Sequence, residues 1–158
     1  MDCLICRMEQ GEALDRPLHE DPLVWAGHAP PEEGESDVYL GRCLMAPRRH
    51  AAGVADLSDA EAQAVGLWIA RLGRALRASG AEHVYVFVLG HKVPHVHFHV
   101  IPRHPGTPRE YWGVRVLEWP AAPRGGGEEV REVGARIRAA IDLAPGPAPG
   151  SNTGPPSS

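Results

Sequence analysis

Long apolar runs are missing from this sequence. No stretch approaches the roughly 18 consecutive apolar residues of a helix that crosses a bilayer, so a membrane span is not expected. The segment from Met1 to Arg7 is too short and too quickly polar for a secretory signal, and the expected location is the cytoplasm. Excess positive charge is missing as well: the formal net charge is -4, and Lys92 is the single lysine among 16 basic residues. That balance gives no general attraction to nucleic acid or to an anionic membrane, so a bound anion needs local positive charge. Cysteine is scarce, with three in 158 residues. An odd count, with Cys3 and Cys6 close together and Cys43 apart, does not make a disulfide framework. It reads as a cytosolic chain whose close pair binds metal.

What remains is ordinary globular composition, 43% hydrophobic and 23% charged, on a length suited to one domain with a real core. Leu23 to Ala26 reads as a short strand, and residues 27–37, with Gly, two prolines and four acids, as loop. Val38 to Ala46 reads as a second strand ended by Pro47. Ser58-Asp59-Ala60-Glu61 is a capping box. The following segment puts Val65, Trp68, Ile69, Leu72 and Leu76 at helical spacing, up to Gly80. Arg71, Arg74 and Arg77 fall on other faces of that helix and read as a solvated surface rather than a phosphate site. Glu82 to Leu89 and His95 to Ile101 read as a hairpin around Gly90-His91-Lys92-Val93-Pro94. Residues 102–126 read as loop, and Gly127 to Leu143 as a second helix with Val130, Val133, Ile137 and Ile141 on one face. A domain over 1–143 is followed by a Pro/Gly/Ser tail over 144–158, which cannot bury enough apolar surface to offset its ordering entropy and is expected to be disordered.

The chemistry concentrates in His95-Val96-His97-Phe98-His99-Val100-Ile101. Strand side chains alternate faces, so His95, His97 and His99 share one face while Val96, Phe98 and Val100 anchor the strand in the core. Three imidazoles on one face beside a glycine turn make a site; the competing reading is an exposed sheet face that happens to carry histidine. Cys3 and Cys6 stand at the spacing of zinc ligands, with two further ligands needed to close a tetrahedron; the plain alternative is two unrelated cysteines.

The triad segment resembles the signature of the histidine-triad (HIT) family, in which three histidines alternate with apolar residues. Ile101-Pro102-Arg103 continues the likeness. Upstream, Leu44-Met45-Ala46-Pro47-Arg48-Arg49-His50 is similar to the family's apolar strand ending in proline, a basic pair and histidine, and Leu57-Ser58-Asp59-Ala60-Glu61 is similar to its helix start. The resemblance runs over residues 1–105 in family order. It implies an α+β fold on a five-stranded antiparallel sheet with two main helices, commonly in a homodimer, and attack on the α-phosphorus of a nucleotide. By position, His97 is the nucleophile that forms a nucleotidyl-histidine intermediate, which water, phosphate or another acceptor resolves. His99 then holds phosphate oxygens and the developing charge. The zinc-bearing relatives imply a closed structural site at Cys3, Cys6, His50 and His95.

The sequence also departs from common family patterns. Gly41-Arg42 stands where Gly-His is frequent, Gly27-His28 stands near the place of the ribose-binding aspartate, and Gly90-His91-Lys92 replaces a turn with Gln and Ser or Thr. His28, Arg42, His91 and Lys92 are therefore the candidate substrate contacts, Lys92 either as a phosphate clamp or as an exposed turn residue. The aromatic loop from Pro105 to Trp119 fits a lid, a substrate wall or a dimer contact. Three functions remain in play. One is a nucleotidyl hydrolase or transferase acting on a purine nucleotide conjugate: a dinucleoside polyphosphate, a phosphoramidate or an adenylate. The second is a metal-dependent hydrolase that uses all three histidines as ligands to one ion. The third is a non-catalytic nucleotide-binding module. A homodimer is expected, through the apolar face of the Ser58–Ser79 helix, with Trp68 and Ile69 beside Val65 and Leu72, and through the loop aromatics.

Overall fold

A computed structural model describes residues 3–11, 16–90, 93–143 and 146. In chain order the elements are α1 (Leu4–Glu9), β1 (His19–Glu20), β2 (Val24–His28), β3 (Val38–Tyr39), β4 (Cys43–Pro47), α2 (Asp59–Ala78), β5 (His83–Phe87), β6 (Phe98–Arg103), β7 (Arg124–Gly125) and α3 (Gly127–Leu143). Short 3-10 turns lie at Val54–Asp56, Arg109–Tyr111 and Gly113–Glu118. The main sheet has five antiparallel strands in the order β1-β2-β4-β6-β5, and β3 pairs with β7 in a separate two-stranded ribbon. The α+β architecture with one five-stranded sheet and two main helices is thus the one expected. The expected tail, 144–158, lies outside the described residues except for Gly146.

One face of the sheet carries the main core. Val24, Ala26, Cys43, Met45, Val96, Phe98 and Val100 point to it and meet Val65, Trp68, Leu72 and Leu76 of α2 and Ile137 of α3. Leu72 is fully enclosed, and a change to alanine there is expected to cost about 2–5 kcal/mol. The helix α2 begins as its sequence dictates: the Glu61 amide donates to Ser58 Oγ at 3.2 Å, and the Ser58 amide donates back to Glu61 Oε2 at 2.8 Å. Val65, Trp68 and Leu72 are used inside the monomer, and Ile69 packs against the same core. That corrects the idea that they form the dimer face, because the periodic stripe of α2 is the stripe that covers the sheet.

The opposite face carries a second apolar cluster. Trp25, Leu44 and Ala46 of the sheet are covered by Cys3, Ile5 and Met8 of the N-terminal segment and by Val38. Ile101 of the same face packs with Tyr39, Val116 and Ala122.

Three elements differ from the sequence reading. Val38 to Ala46 is two strands, not one. Gly41 stands at φ +85° in the turn between them, and a Cβ there would come within 2.8 Å of Pro102 Cγ, so only glycine lets the chain pass β6 this closely. The triad strand is assigned from Phe98, not His95: the β4–β6 ladder stops at the Met45–Phe98 pair, and two residues beyond Met45, Pro47 has no amide to continue it. Val96 is nonetheless held, its amide donating to Ala51 O at 2.7 Å. Lastly, residues 102–126 contain two 3-10 turns and β7 rather than plain loop.

Candidate active site and metal centre

The alternation that put three histidines on one face holds in three dimensions. Val96, Phe98 and Val100 enter the core, and the three imidazoles lie on the other side. Each ring has a different environment. The His97 ring is buried, and its Nδ1 lies 2.8 Å from the His95 carbonyl. A carbonyl only accepts, so Nδ1 carries the proton and the lone pair is left on Nε2. His99 lies edge-on to His97, with ring centroids 4.9 Å apart, and its buried Nδ1 has no hydrogen-bond partner. Burial, then the charge of Arg42 and the neighbouring His97, holds the His99 ring down to about 4, so it is neutral near pH 7.

His95 is fully buried and turned elsewhere. Its Nε2 donates to Pro47 O at 2.9 Å, which leaves the Nδ1 lone pair facing two sulfurs, Cys3 Sγ at 3.5 Å and Cys6 Sγ at 3.4 Å. His50 Nδ1 lies 3.7 Å from Cys6 Sγ. All four donor atoms fall within 4.8 Å of one another. Zinc bonds of about 2.3 Å to sulfur and 2.0–2.1 Å to nitrogen place S and N about 3.6 Å apart along a tetrahedral edge. The three observed S···N distances straddle that value, and the donor set is one that zinc favours, so the residues present fit a closed tetrahedral ion. The sequence-predicted ligands Cys3, Cys6, His50 and His95 are all brought together. The alternative with three histidines around one catalytic ion does not stand: His95 has one nitrogen on a carbonyl and the other on the cysteines, so it cannot converge with His97 and His99.

The segment that carries His50 is itself clamped. Arg49 donates from Nε to Glu61 Oε1 at 2.9 Å and from Nη2 to Glu61 Oε2 at 2.8 Å, and its Nη2 also reaches Asp56 O at 2.7 Å. The Arg49 pairing, followed by the Ser58 hydrogen bonds, holds the Glu61 carboxyl down to about 2. Sequence reasoning missed this pair. The signal was there, since the capping-box glutamate and a basic residue flank the same loop, but the capping box alone accounted for Glu61.

The candidate substrate contacts divide. Arg42 precedes Leu44 by two residues on the triad face, and Leu44 is the register partner of His99. Its Nη1 makes a 3.4 Å contact with Glu32 Oε1, and its Nε is buried without a partner. His28 is a correction. It turns away from the triad face, where Nδ1 donates to Ala29 O at 2.7 Å and Nε2 accepts the Gly41 amide at 2.8 Å. Both ring nitrogens are spent on backbone, so neither can hydrogen-bond a substrate; His28 instead holds the turn that presents Arg42. Burial, more than any other influence, lowers its basicity. His91 and Lys92 lie outside the described residues. In the aromatic loop, Trp112 lies under the Arg103 guanidinium at 3.7 Å and its Nε1 donates to Thr107 O at 3.0 Å, which ties the loop to the end of the triad strand.

Comparison with known proteins agrees with this arrangement. The HIT domain family matches residues 37–106, from β3 into the loop after β6. The adenosine 5'-monophosphoramidase hnt1 of Schizosaccharomyces pombe is 30% identical over 148 residues, 89% of this chain and 99% of that protein. Among solved structures, a zinc-bound histidine triad family protein of Mycobacterium smegmatis is similar at a TM-score of 0.66 and 20% identity, over 90% of this chain and 95% of that one. A hypothetical histidine triad nucleotide-binding protein of Sulfolobus tokodaii is similar at a TM-score of 0.67 and 18% identity, over 89% and 93%. These two likenesses concern the fold. Taken with the triad, the matched domain and a relative aligned over nearly its whole length, they show that this chain belongs to the histidine triad family.

Proposed function

We propose that the protein hydrolyses the bond between the α-phosphorus of a purine nucleoside 5'-phosphate and its leaving group, through a covalent nucleotidyl-His97 intermediate. The observation that carries this is the His97 ring: its proton is fixed on Nδ1 by the His95 carbonyl, and its nucleophilic Nε2 is presented beside His99. The Nε2 lone pair forms the N–P bond as the bond from phosphorus to the leaving group breaks, the leaving group departs with that electron pair, and it takes up a proton. His99, neutral and with an unsatisfied Nδ1, is placed to hold a phosphoryl oxygen while charge builds. Water then attacks phosphorus, the N–P bond breaks, and the mononucleotide leaves. A phosphate or alcohol acceptor in place of water makes the same site a transferase. The S. pombe relative, named a monophosphoramidase, supports an amine as one leaving group.

Cys3, Cys6, His50 and His95 would hold a zinc ion with no coordination position left for water, so the ion's contribution is structural: it pins α1 against the triad strand. The protein is further proposed to act in the cytoplasm as a homodimer. No helix among the described residues is long and apolar enough to cross a membrane.

The test uses adenosine 5'-phosphoramidate, with release of AMP as the readout. A His97→Asn variant is expected to lose activity on the order of 10³-fold or more while keeping its fold. A His99→Asn variant should lose less. Turnover by His97→Asn within a few-fold of the parent protein overturns the covalent mechanism, and binding of AMP without any turnover by the parent makes the chain a binding module.

A further inference from the structure

A cavity of about 210 Å³ lies on the helix-covered side of the sheet. Leu76 of α2 and Ile137 of α3, both buried, form its floor, and Pro102 of β6 closes one side. Leu40 and Gly41, in the turn between β3 and β4, form another wall. Side chains alternate along β6, so Pro102 shares the face of Val100, and that face is turned to α2. The cavity is therefore across the sheet from the histidines and takes no part in the chemistry described above.

Its polar groups decide what it can hold. Ser79, His104 and Arg136 are the polar side chains that line it. The first two are spent on backbone: Ser79 Oγ donates to Ala75 O at 2.8 Å, and His104 Nε2 donates to Leu40 O at 2.8 Å. Burial lowers the basicity of His104, so that ring is neutral near pH 7. The negative end of α2 is capped as well. Leu76 O accepts the Ser79 and Ala81 amides at 3.1 Å each, and Arg77 O accepts the Gly80 amide at 3.0 Å. Arg136 differs: it is exposed, which sets it at the opening, and among the described residues it has no hydrogen bond or ion pair. Among the described residues no aspartate or glutamate lines the cavity. The full charge at this cavity is thus positive and unspent.

Small molecules bind in sites of this make-up, apolar with a few polar groups that fix orientation. An apolar cavity of about 150 Å³ takes a benzene ring, so this larger one has room for such a ring with a carboxylate beside it. A guanidinium meets a carboxylate through paired N–H bonds, whereas a cation would be repelled and a neutral molecule would leave the fork unused. We propose that this cavity is a second ligand site, for a small monocarboxylate with an apolar part about the size of a benzene ring, seated on Leu76 and Ile137 with its carboxylate on Arg136. The inference does not depend on the nucleotidyl-hydrolase reading. The ligand rests against Gly41, whose amide donates to His28 Nε2 at 2.8 Å, and so against the turn that leads into Arg42.

The experiment is an NMR titration of the full, isotope-labelled chain with benzoate and with benzamide, which has the same ring and no charge. Benzoate is expected to shift the amides of Gly41, Ala81 and Val133 saturably, with a Kd of about 1 mM or tighter. Benzamide should shift the same amides with a Kd roughly tenfold weaker. Arg136→Gln should bring benzoate to the benzamide value and leave benzamide unchanged. Val133→Phe, which fills the cavity from α3, should remove both responses. If that variant folds poorly, Arg136→Gln decides the question, since Arg136 is exposed and its replacement leaves the core intact. Four results overturn the site: no saturable shift at these amides, benzamide binding as tightly as benzoate, benzoate affinity that survives Arg136→Gln, or shifts confined to residues of the triad face. The last would put the added anion in the active site instead.

Discussion

Buried and half-buried imidazoles dominate the chemistry of single residues here. His28, His99 and His104 are all less basic than a free histidine, in each case chiefly because burial penalises the charged ring. His104 is held by its Nε2 donating to Leu40 O at 2.8 Å, and His28 by the two backbone bonds described above. For His99 the ordinary value of 6.5 falls to about 4. Between those values the unfolded chain binds a proton at this site that the folded chain does not. Stability is therefore full above pH 6.5 and lost as pH falls toward 4. The carboxyls of Asp21 and Glu61 are held down to about 2, so their contribution is lost only at more acid pH, as they protonate below the ordinary carboxyl range. In metal-free protein, the melting temperature is expected to drop by roughly 5 °C or more between pH 7 and pH 4.5. His99→Asn should flatten part of that slope. A melting temperature independent of pH across this window would show that these rings are protonated in the fold.

At the scale of elements, the metal cluster draws on three separate pieces of chain: the N-cap and first turn of α1, the segment after β4, and the residues leading into β6. The segment 47–50 has two tasks. Its Pro47 carbonyl fixes the proton of His95 on Nε2, and its His50 supplies a ligand. The Arg49–Glu61 pair then fastens this segment to the first turn of α2. Partners behind metal ligands commonly tune affinity by 10–100-fold. Glu61→Gln is expected to weaken zinc binding by about tenfold or more, read by competition with a chromophoric chelator at pH 7. It should also lower the melting temperature through the lost capping box. Unchanged affinity with a lowered melting temperature would assign Glu61 to the helix start alone.

For the whole molecule, the open question of assembly moves to the sheet edge. Among the described residues, no strand lies beside the outer edge of β5. Val86 is 40% exposed on the helix-facing side of that strand, and Leu67 of α2 and Leu89 beyond the strand are 47% and 63% exposed. An unpaired edge with apolar neighbours is a surface that another strand can extend. Pairing of two β5 edges about a two-fold axis satisfies it in a closed way. Light scattering at micromolar concentration is expected to give twice the 17.0 kDa of one chain, and Val86→Lys is expected to shift the mass toward the monomer. A monomeric parent protein would leave β5 as a tolerated edge.

How much of this was legible beforehand depends on how local each cause is. Hydrophobic period and capping chemistry act within a few residues, so the sequence by itself determined α2, α3, the β5–β6 hairpin and the shared face of the three histidines. The spacing of Cys3 and Cys6, with His50 and His95 supplied by family likeness, already named a metal set whose members lie up to 92 residues apart. What the tertiary structure decided were the matters of contact between distant segments. The single strand expected over Val38 to Ala46 became two because the chain turns at Gly41, packed against Pro102. The polar fate of His28 depended on which backbone amide came to meet it. Trp68 could be read as core or interface until the sheet took its place beside it. Arg49 and Arg42 looked alike as arginines at the two ends of one strand; one found a buried carboxylate and became a strut, the other found an exposed carboxylate and was left with an unfilled donor. Side-chain identity states what a group can bond, but only the packed chain states which partners remain to be found.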